Sequence, residues 1–341
     1  MFGVEVRVKT QTLGEIQTLL ATAGLRPRRR LGQNFLIDGN LLRKLVDAAD
    51  IGPQDTVIEV GGGTGGLTDH LAARAGRVVV LEIDRGLHRL LESRFADSPN
   101  VEVHCQDALH NKNRLGEVLQ RELIDVDSGS ETLVDEPPVG PRQALVGKPP
   151  VAPFQAPVDK PPVTPALTLV ANLPYGIAAP LLINLLLEAP QMRRFCFTVQ
   201  REVADRMVAE PNGKTYGPLS ITLQATCHIR RMANVSRAAF WPRPKVDSQM
   251  LRLDRMQDGP LSYAELRPFV SLVRASFLHR RKTMAYNLES AVGPESAKLV
   301  ADLIDGRARP ENVTVSQWIT IYRRLRDRRA LVPTDPCQSD A

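Results

Sequence analysis

From Thr56 onward the chain repeats one pattern, a short run rich in β-branched residues followed by a stretch with helical spacing. The runs are Thr56-Val-Ile-Glu-Val, Arg77-Val-Val-Val-Leu-Glu-Ile-Asp, Val101-Glu-Val-His-Cys, Leu167-Thr-Leu-Val-Ala and Phe195-Cys-Phe-Thr-Val. Strands that are apolar along their length are covered on both faces, and strands separated by helices pair in parallel. The expected fold is therefore α/β, a parallel sheet wound on both faces. Such a sheet binds its ligands beyond the carboxyl ends of its strands, so the residues that follow each run matter most.

The first run leads into Glu59-Val-Gly-Gly-Gly-Thr-Gly-Gly, where Gly61, Gly63 and Gly66 satisfy the G-x-G-x-x-G spacing that lets a backbone approach an adenosine-bearing ligand. Glu82, at the end of the second run, suits ribose hydroxyls in either a nicotinamide or an S-adenosylmethionine enzyme. Two acids separate those classes. Glu59, just before the glycines, crowds a pyrophosphate with negative charge but suits the cationic amino and sulfonium groups of S-adenosylmethionine. Asp107, after the third run, can accept from the adenine amino group. The fourth run ends on Asn172-Leu173-Pro174-Tyr175. Here the Asn172 side-chain oxygen and the carbonyl of Leu173 can both accept from one exocyclic amine, while the Tyr175 ring offers a flat face to a base. Taken alone, Asn-x-Pro-Tyr is also an ordinary strand-ending turn.

The rest of the chain sets bounds. Its 341 residues, 43% of them apolar, suffice for a buried core and two domains. No apolar run reaches the length of a membrane span, and the N-terminus lacks a charged start followed by an apolar stretch, so a cytoplasmic protein without a membrane partner is expected. Cys105, Cys196, Cys227 and Cys337 show no C-x-x-C or Cys/His spacing. No metal is expected, and the first three are read as core thiols. The net charge is +6, with basic clusters at Arg26, Arg28, Arg29 and Arg30, at Arg280-Arg281-Lys282, and at Arg323, Arg324, Arg326, Arg328 and Arg329. Such clusters suit a polyanion, although the last also fits a solvated helix face.

Between Asp127 and Pro165 the alternation gives way to a tract holding ten of the 26 prolines, read as a mobile insertion. It leaves a helix and enters the strand ending at Asn172, which puts it at the amino-terminal edge of the sheet, opposite the ligand face. After Leu253 the spacing turns helical. Leu266, Phe269, Val270, Val273 and Phe277 form one stripe, and Trp318, Ile321, Tyr322 and Leu325 form another, both read as core.

Taken together these motifs resemble the KsgA-type rRNA adenine N6-dimethyltransferases. The resemblance runs from Leu31 to about Leu325, interrupted by the proline-rich tract. It rests on Leu31-Gly-Gln-Asn-Phe-Leu, the glycine loop, Leu81-Glu-Ile-Asp, Gln106-Asp-Ala, Asn172-Leu-Pro-Tyr, Gln200-Arg-Glu-Val-Ala-Asp-Arg, Tyr216-Gly-Pro-Leu-Ser, Phe240-Trp-Pro-Arg-Pro-Lys-Val-Asp-Ser and Phe277-Leu-His-Arg-Arg-Lys-Thr.

The resemblance implies a Rossmann-like methyltransferase sheet with a small all-helical C-terminal domain, and S-adenosyl-L-methionine as cofactor. By resemblance, Gln33, Asn34 and Leu36 close over its methionine end, Glu59, Gly61 and Gly63 line it, Glu82 with Ile83 holds the ribose side, and Asp107 with the Ala108 amide reads the adenine ring. Asn172, Leu173, Pro174 and Tyr175 are the implied catalytic group, with Asn172 spanning cofactor and substrate. Tyr175 and Phe240 would sandwich a target adenine. The implied partner is small-subunit rRNA in a precursor subunit, modified on two adjacent adenines of a hairpin loop near its 3′ end, with Arg280, Arg281 and Lys282 on its phosphates and the enzyme a monomer. The implied division is an extension over 1–24, a methyltransferase domain over 25–253 interrupted at 127–165, a helical RNA-binding domain over 254–330 and a tail over 331–341.

The chain departs from the family at Gly62 and Thr64, where Pro and Leu are frequent, at Trp241 and at Arg201. Three other readings are weighed. A large-subunit methyltransferase of the antibiotic-resistance type is disfavoured by Leu173 and by Arg280-Arg281-Lys282-Thr283. A non-catalytic RNA-binding assembly factor is disfavoured by the intact Asn172, Tyr175, Glu82 and Asp107, and a nicotinamide dehydrogenase by Glu59.

Overall fold

Strands Thr56–Val60 (β1), Arg77–Leu81 (β2), Val101–His104 (β3), Leu167–Asn172 (β4), Met192–Gln200 (β5), Cys227–Val235 (β6) and Ser248–Arg255 (β7) form one sheet in the order β3-β2-β1-β4-β5-β7-β6. The structure, a computed structural model, describes residues 8, 10–128 and 166–328. The first five strands pair in parallel. β7 lies antiparallel between β5 and β6, so the sheet is mixed rather than wholly parallel. The antiparallel edge escapes the search for apolar runs because β6, Cys-His-Ile-Arg-Arg-Met-Ala-Asn-Val, is an edge strand with most of its residues partly or fully exposed.

The unbroken apolar runs are explained by burial on both faces. Along β1 and β2, Val57, Val78 and Val80 turn toward helices Gly39–Ala49 (α2), Gly66–Ala72 (α3) and Arg85–Arg94 (α4), numbered after Leu13–Thr22 (α1). Ile58, Val60, Val79 and Leu81 turn the other way, toward Glu117–Ser128 (α5) and Ala178–Glu188 (α6). The second core continues through Arg201–Met207 (α7) and Pro218–Thr226 (α8) into Tyr263–Ser276 (α9), Met284–Val292 (α10), Ser296–Leu299 (α11) and Val315–Asp327 (α12). There both helical stripes are core, with Phe269 edge-on to Tyr322 at 5.7 Å and Phe277 stacked on Trp318 at 6.0 Å.

Strand order reverses between β1 and β4. That is the switch point at which an open α/β sheet leaves a crevice, and the glycine loop and the Asn172 quartet flank it. The proline-rich tract falls almost wholly outside the described residues. Its described carboxyl-side flank meets the opposite edge, where Ala166 N donates to Asp55 Oδ1 and Thr56 N to Ala166 O. Of the three expected core thiols, Cys196 and Cys227 are buried but Cys105 is exposed, because it follows β3 and stands beyond the sheet. Among the described residues no helix is long and apolar enough to cross a membrane.

Candidate active site

The loop after β1 turns through three left-handed glycines, Gly61, Gly63 and Gly65, with φ of +82°, +59° and +83°, which side chains adopt only at a cost. Gly62 stands where the resembling family carries proline. A Cβ there would lie 2.5 Å from Val80, so Val80 and Leu91 occupy the space. The loop is pinned from behind: Gly63 N donates to Glu82 Oε2 at 2.9 Å, and Glu82 Oε1 accepts from Asp84 N at 2.9 Å.

Glu59, next to last in β1, is only 1% exposed. Thr68 Oγ1 donates to its Oε2 at 2.7 Å, but the charges that act on it are the acids Asp69 and Glu82. Burial above all pushes its carboxyl up to about 8. Burial also raises Glu82. A cavity walled by two such acids favours a cationic guest.

Across the crevice, Asn172 is held by both ends of its amide. Nδ2 donates to the Asn34 carbonyl at 2.8 Å, and Oδ1 accepts from Thr198 Oγ1. Because the Asn34 carbonyl only accepts, the amide nitrogen must face it, and the side chain cannot be flipped. Asn34 Nδ2 in turn holds the Gly32 carbonyl, and Gln33 bridges Asp84 Oδ2 and Arg28 N. Asp107 caps its own turn by accepting from Leu109 N at 3.0 Å. Gly116 backs that turn, where a Cβ would meet the Asp107 carbonyl at 2.3 Å.

These groups form one cleft, and Gln33, Asn34, Leu36, Glu59, Gly61, Gly63, Glu82, Ile83, Asp107, Ala108 and Asn172 all line it. A second cleft shares Asn34, Asp107 and Pro174 with the first and extends over Tyr175, Arg29, Arg30, Arg243 and Lys245. Asn34, Asp107 and Pro174 therefore stand where the two spaces meet. Leu173 turns its side chain into the core at 1% exposed, while the Tyr175 hydroxyl is tied to Ser248 Oγ at 2.8 Å.

Two expectations meet a different geometry. Phe240 lines neither space. It pairs with Leu36 in a two-residue ladder, is 3% exposed and packs with Val235 and Met250, so here its ring is packed into the core. Pro242, Arg243, Pro244 and Lys245, from the same motif, line the second cleft. Arg280 is exposed, yet its Nη2 donates to the carbonyls of Lys214 at 2.8 Å and Tyr216 at 3.2 Å. It fastens the loop before α8, whereas Arg281 and Lys282 are exposed on the same turn.

Sequence reasoning missed Thr198, Gln11, Arg243 and Lys245. The last two sit inside a quoted motif and carry the basic signal; the first two carry none. A group of possible metal ligands, Glu102, His104 and Glu122, lies at the edge strand. Its cation is Arg77, which binds both Glu102 oxygens and Glu122.

The model of the ribosomal RNA adenine dimethylase family matches residues 24–327. The ribosomal RNA small subunit methyltransferase A of Geobacillus kaustophilus is 36% identical over 92% of this chain and 96% of its own length, and that of Moorella thermoacetica 35% identical over 92% and 98%. In fold, a dimethyladenosine transferase of Plasmodium falciparum aligns over 85% of this chain and 96% of its own with a TM-score of 0.62 at 21% identity, and the 23S rRNA methyltransferase ErmE over 86% and 100% with 0.56 at 24%. The chain belongs to the ribosomal RNA adenine dimethylase family.

Proposed function

We propose that this protein transfers methyl groups from S-adenosyl-L-methionine to the N6 atoms of two adjacent adenosines in the 3′-terminal hairpin loop of small-subunit rRNA, two to each. The observation that carries this reading is Asn172, whose amide is locked between Asn34 and Thr198 on the wall of the first cavity, beside the Pro174 and Tyr175 of the second. The two close relatives named above carry the small-subunit rRNA assignment. The hairpin loop, a precursor subunit as substrate and a monomeric, cytoplasmic enzyme are carried by the resemblance.

The first cavity fits the cofactor. Its buried, acid-flanked Glu59 answers a ligand cation, and its glycine-lined wall lets an adenosine-bearing molecule approach the backbone. Bound there, S-adenosylmethionine supplies an electrophilic methyl on a sulfonium. The protein's task is then positional. N6 of adenine is a weak nucleophile because its lone pair is drawn into the ring. The second lone pair of Asn172 Oδ1 and the Leu173 carbonyl accept its hydrogens and turn that lone pair toward the methyl, with Tyr175 supporting the ring. Holding both reactants in line supplies about 7–11 kcal/mol of barrier reduction. Water takes the proton that the product amine sheds.

The reading is tested by single-turnover methyl transfer to small subunits that lack the modification, with the sites mapped by mass spectrometry. Dimethyladenosine at two adjacent loop positions is expected. Asn172→Ala should lower the rate by about 2–4 kcal/mol of barrier with RNA affinity retained. Transfer to large-subunit rRNA instead, or a near-normal rate in the variant, would overturn the assignment.

A further inference from the structure

The segment before α1 reaches the cofactor cavity. Gln11 is 7% exposed and lines the cavity alongside Glu59 and Gly66. Its amide pairs with one loop residue at both ends: Nε2 donates to the Thr64 carbonyl at 2.9 Å, and Thr64 Oγ1 donates to Oε1 at 2.7 Å. The residues around it hold it in place. Thr10 Oγ1 meets His70 Nε2 of α3 at 3.2 Å, Thr12 caps α1 through a capping box with Glu15, and α1 packs Ile16 and Leu20 against Phe35 and Leu87. The fit is close enough that a Cβ on Gly66 would lie 3.3 Å from Gln11 Oε1. Thr64 is also one of the two loop positions where the chain leaves the family pattern, and that departure supplies the hydroxyl which Gln11 accepts.

We propose that Gln11 contacts the cofactor, donating its second amide hydrogen to the carboxylate of the methionyl end of S-adenosylmethionine while its first holds the glycine loop. A primary amide nitrogen has two hydrogens, and Thr64 takes one. A carboxylate entering a space already walled by Glu59 and Glu82 needs donors beside it, and Gln11 is a neutral donor that leaves Glu59 free for the ammonium and sulfonium. The strand order agrees. Asp107, on the adenine side, follows β3, two strands from the loop after β1 that Gln11 touches. This inference rests on the cavity being the S-adenosylmethionine site.

The test is calorimetry on the full chain with two ligands, S-adenosylhomocysteine and 5′-methylthioadenosine, which lacks the amino-acid end. Gln11→Leu, which keeps the bulk without the donors, should weaken S-adenosylhomocysteine about tenfold or more, the scale of one hydrogen bond to a charged group. Methylthioadenosine should stay within about twofold. Gln11→Glu keeps an acceptor for Thr64 but presents a like charge, so it should lose still more of the first ligand and little of the second. Equal losses for both ligands, or a fall in folding alone, would assign Gln11 to the loop's structure and overturn the contact, as would no loss for either. Failure of the unaltered protein to bind S-adenosylhomocysteine would instead bring down the reading of the cavity.

Discussion

The two spaces that meet at Asn34 and Pro174 are built on opposite plans. In the first, nearly every polar group already has a partner within the protein: Glu82 holds Gly63 and Asp84, Gln33 holds Asp84 and Arg28, and Asn172 holds Asn34 and Thr198. In the second, the part that the first does not share adds the cations Arg29, Arg30, Arg243 and Lys245, all exposed, beside Tyr175 and Gln200. A small rigid ligand gains from donors and acceptors fixed beforehand, because no ordering is left for the moment of reaction. An RNA loop brings its own shape and many phosphates, and long cationic side chains meet it at little strain. The contrast makes geometry the first space's contribution and charge the second's.

The sharpest way to break that contrast is at Phe240 and Tyr175, which the sequence places on either face of one base. If Phe240 is core, Phe240→Ala should cost about 3–5 kcal/mol of folding stability, read by denaturant unfolding. Tyr175→Ala should instead weaken RNA binding and transfer by about 1–3 kcal/mol, the worth of one stacked base, with a smaller change in stability. A Phe240→Ala variant as stable as its parent but poor in transfer would return that ring to the substrate.

The first space is sharpened through Glu59. Its carboxyl is raised from 4.5 to about 8 in the folded protein, so the stability it confers is full below about 4.5 and is lost as pH rises through 8. A bound cation favours the ionised form and expels the proton. Affinity for S-adenosylmethionine should therefore climb with pH toward 8, by up to about tenfold per unit, with proton release visible as a buffer-dependent calorimetric heat. Glu59→Gln should bind more weakly and flatten the profile; an unchanged profile would remove Glu59 from the cation's side.

The smallest effect concerns the basic turn. Replacing Arg281 and Lys282 with Gln should reduce the salt slope of RNA binding by up to about two units and leave the melting temperature in place. Arg280→Gln should do the reverse, because its guanidinium grips Lys214 and Tyr216. Identical behaviour of the two variants would make all three residues RNA contacts.

What could be read from the sequence follows from the range of the contacts. The wall of the first cavity is made mostly of strand-to-helix turns, each carrying its lining residues within a few positions, and all the residues assigned to the cofactor line that one cavity. The interactions that hold the wall are long-range. Gln11 and Thr64 are 53 residues apart, and Asn172 and Asn34 are 138 apart; neither pair has a local pattern to announce it. Phe240 is ambiguous in the sequence for a related reason. An aromatic before a proline looks the same whether it faces a base or the core, and only the Leu36 ladder decides. The antiparallel β6 escaped because a half-exposed edge strand alternates too irregularly to register as a run.

The locked Asn172 has a consequence for how the reaction stops. An amide that cannot turn around keeps Oδ1, an acceptor, on the Thr198 side of the site. On the proposed reading, unmodified adenosine would bring two N6 hydrogens to Asn172 and Leu173, the monomethyl form one, and the dimethyl product none. Each turnover thus subtracts one attachment, so the site's hold on the base weakens as modification proceeds and the finished nucleotide leaves for want of anything to donate.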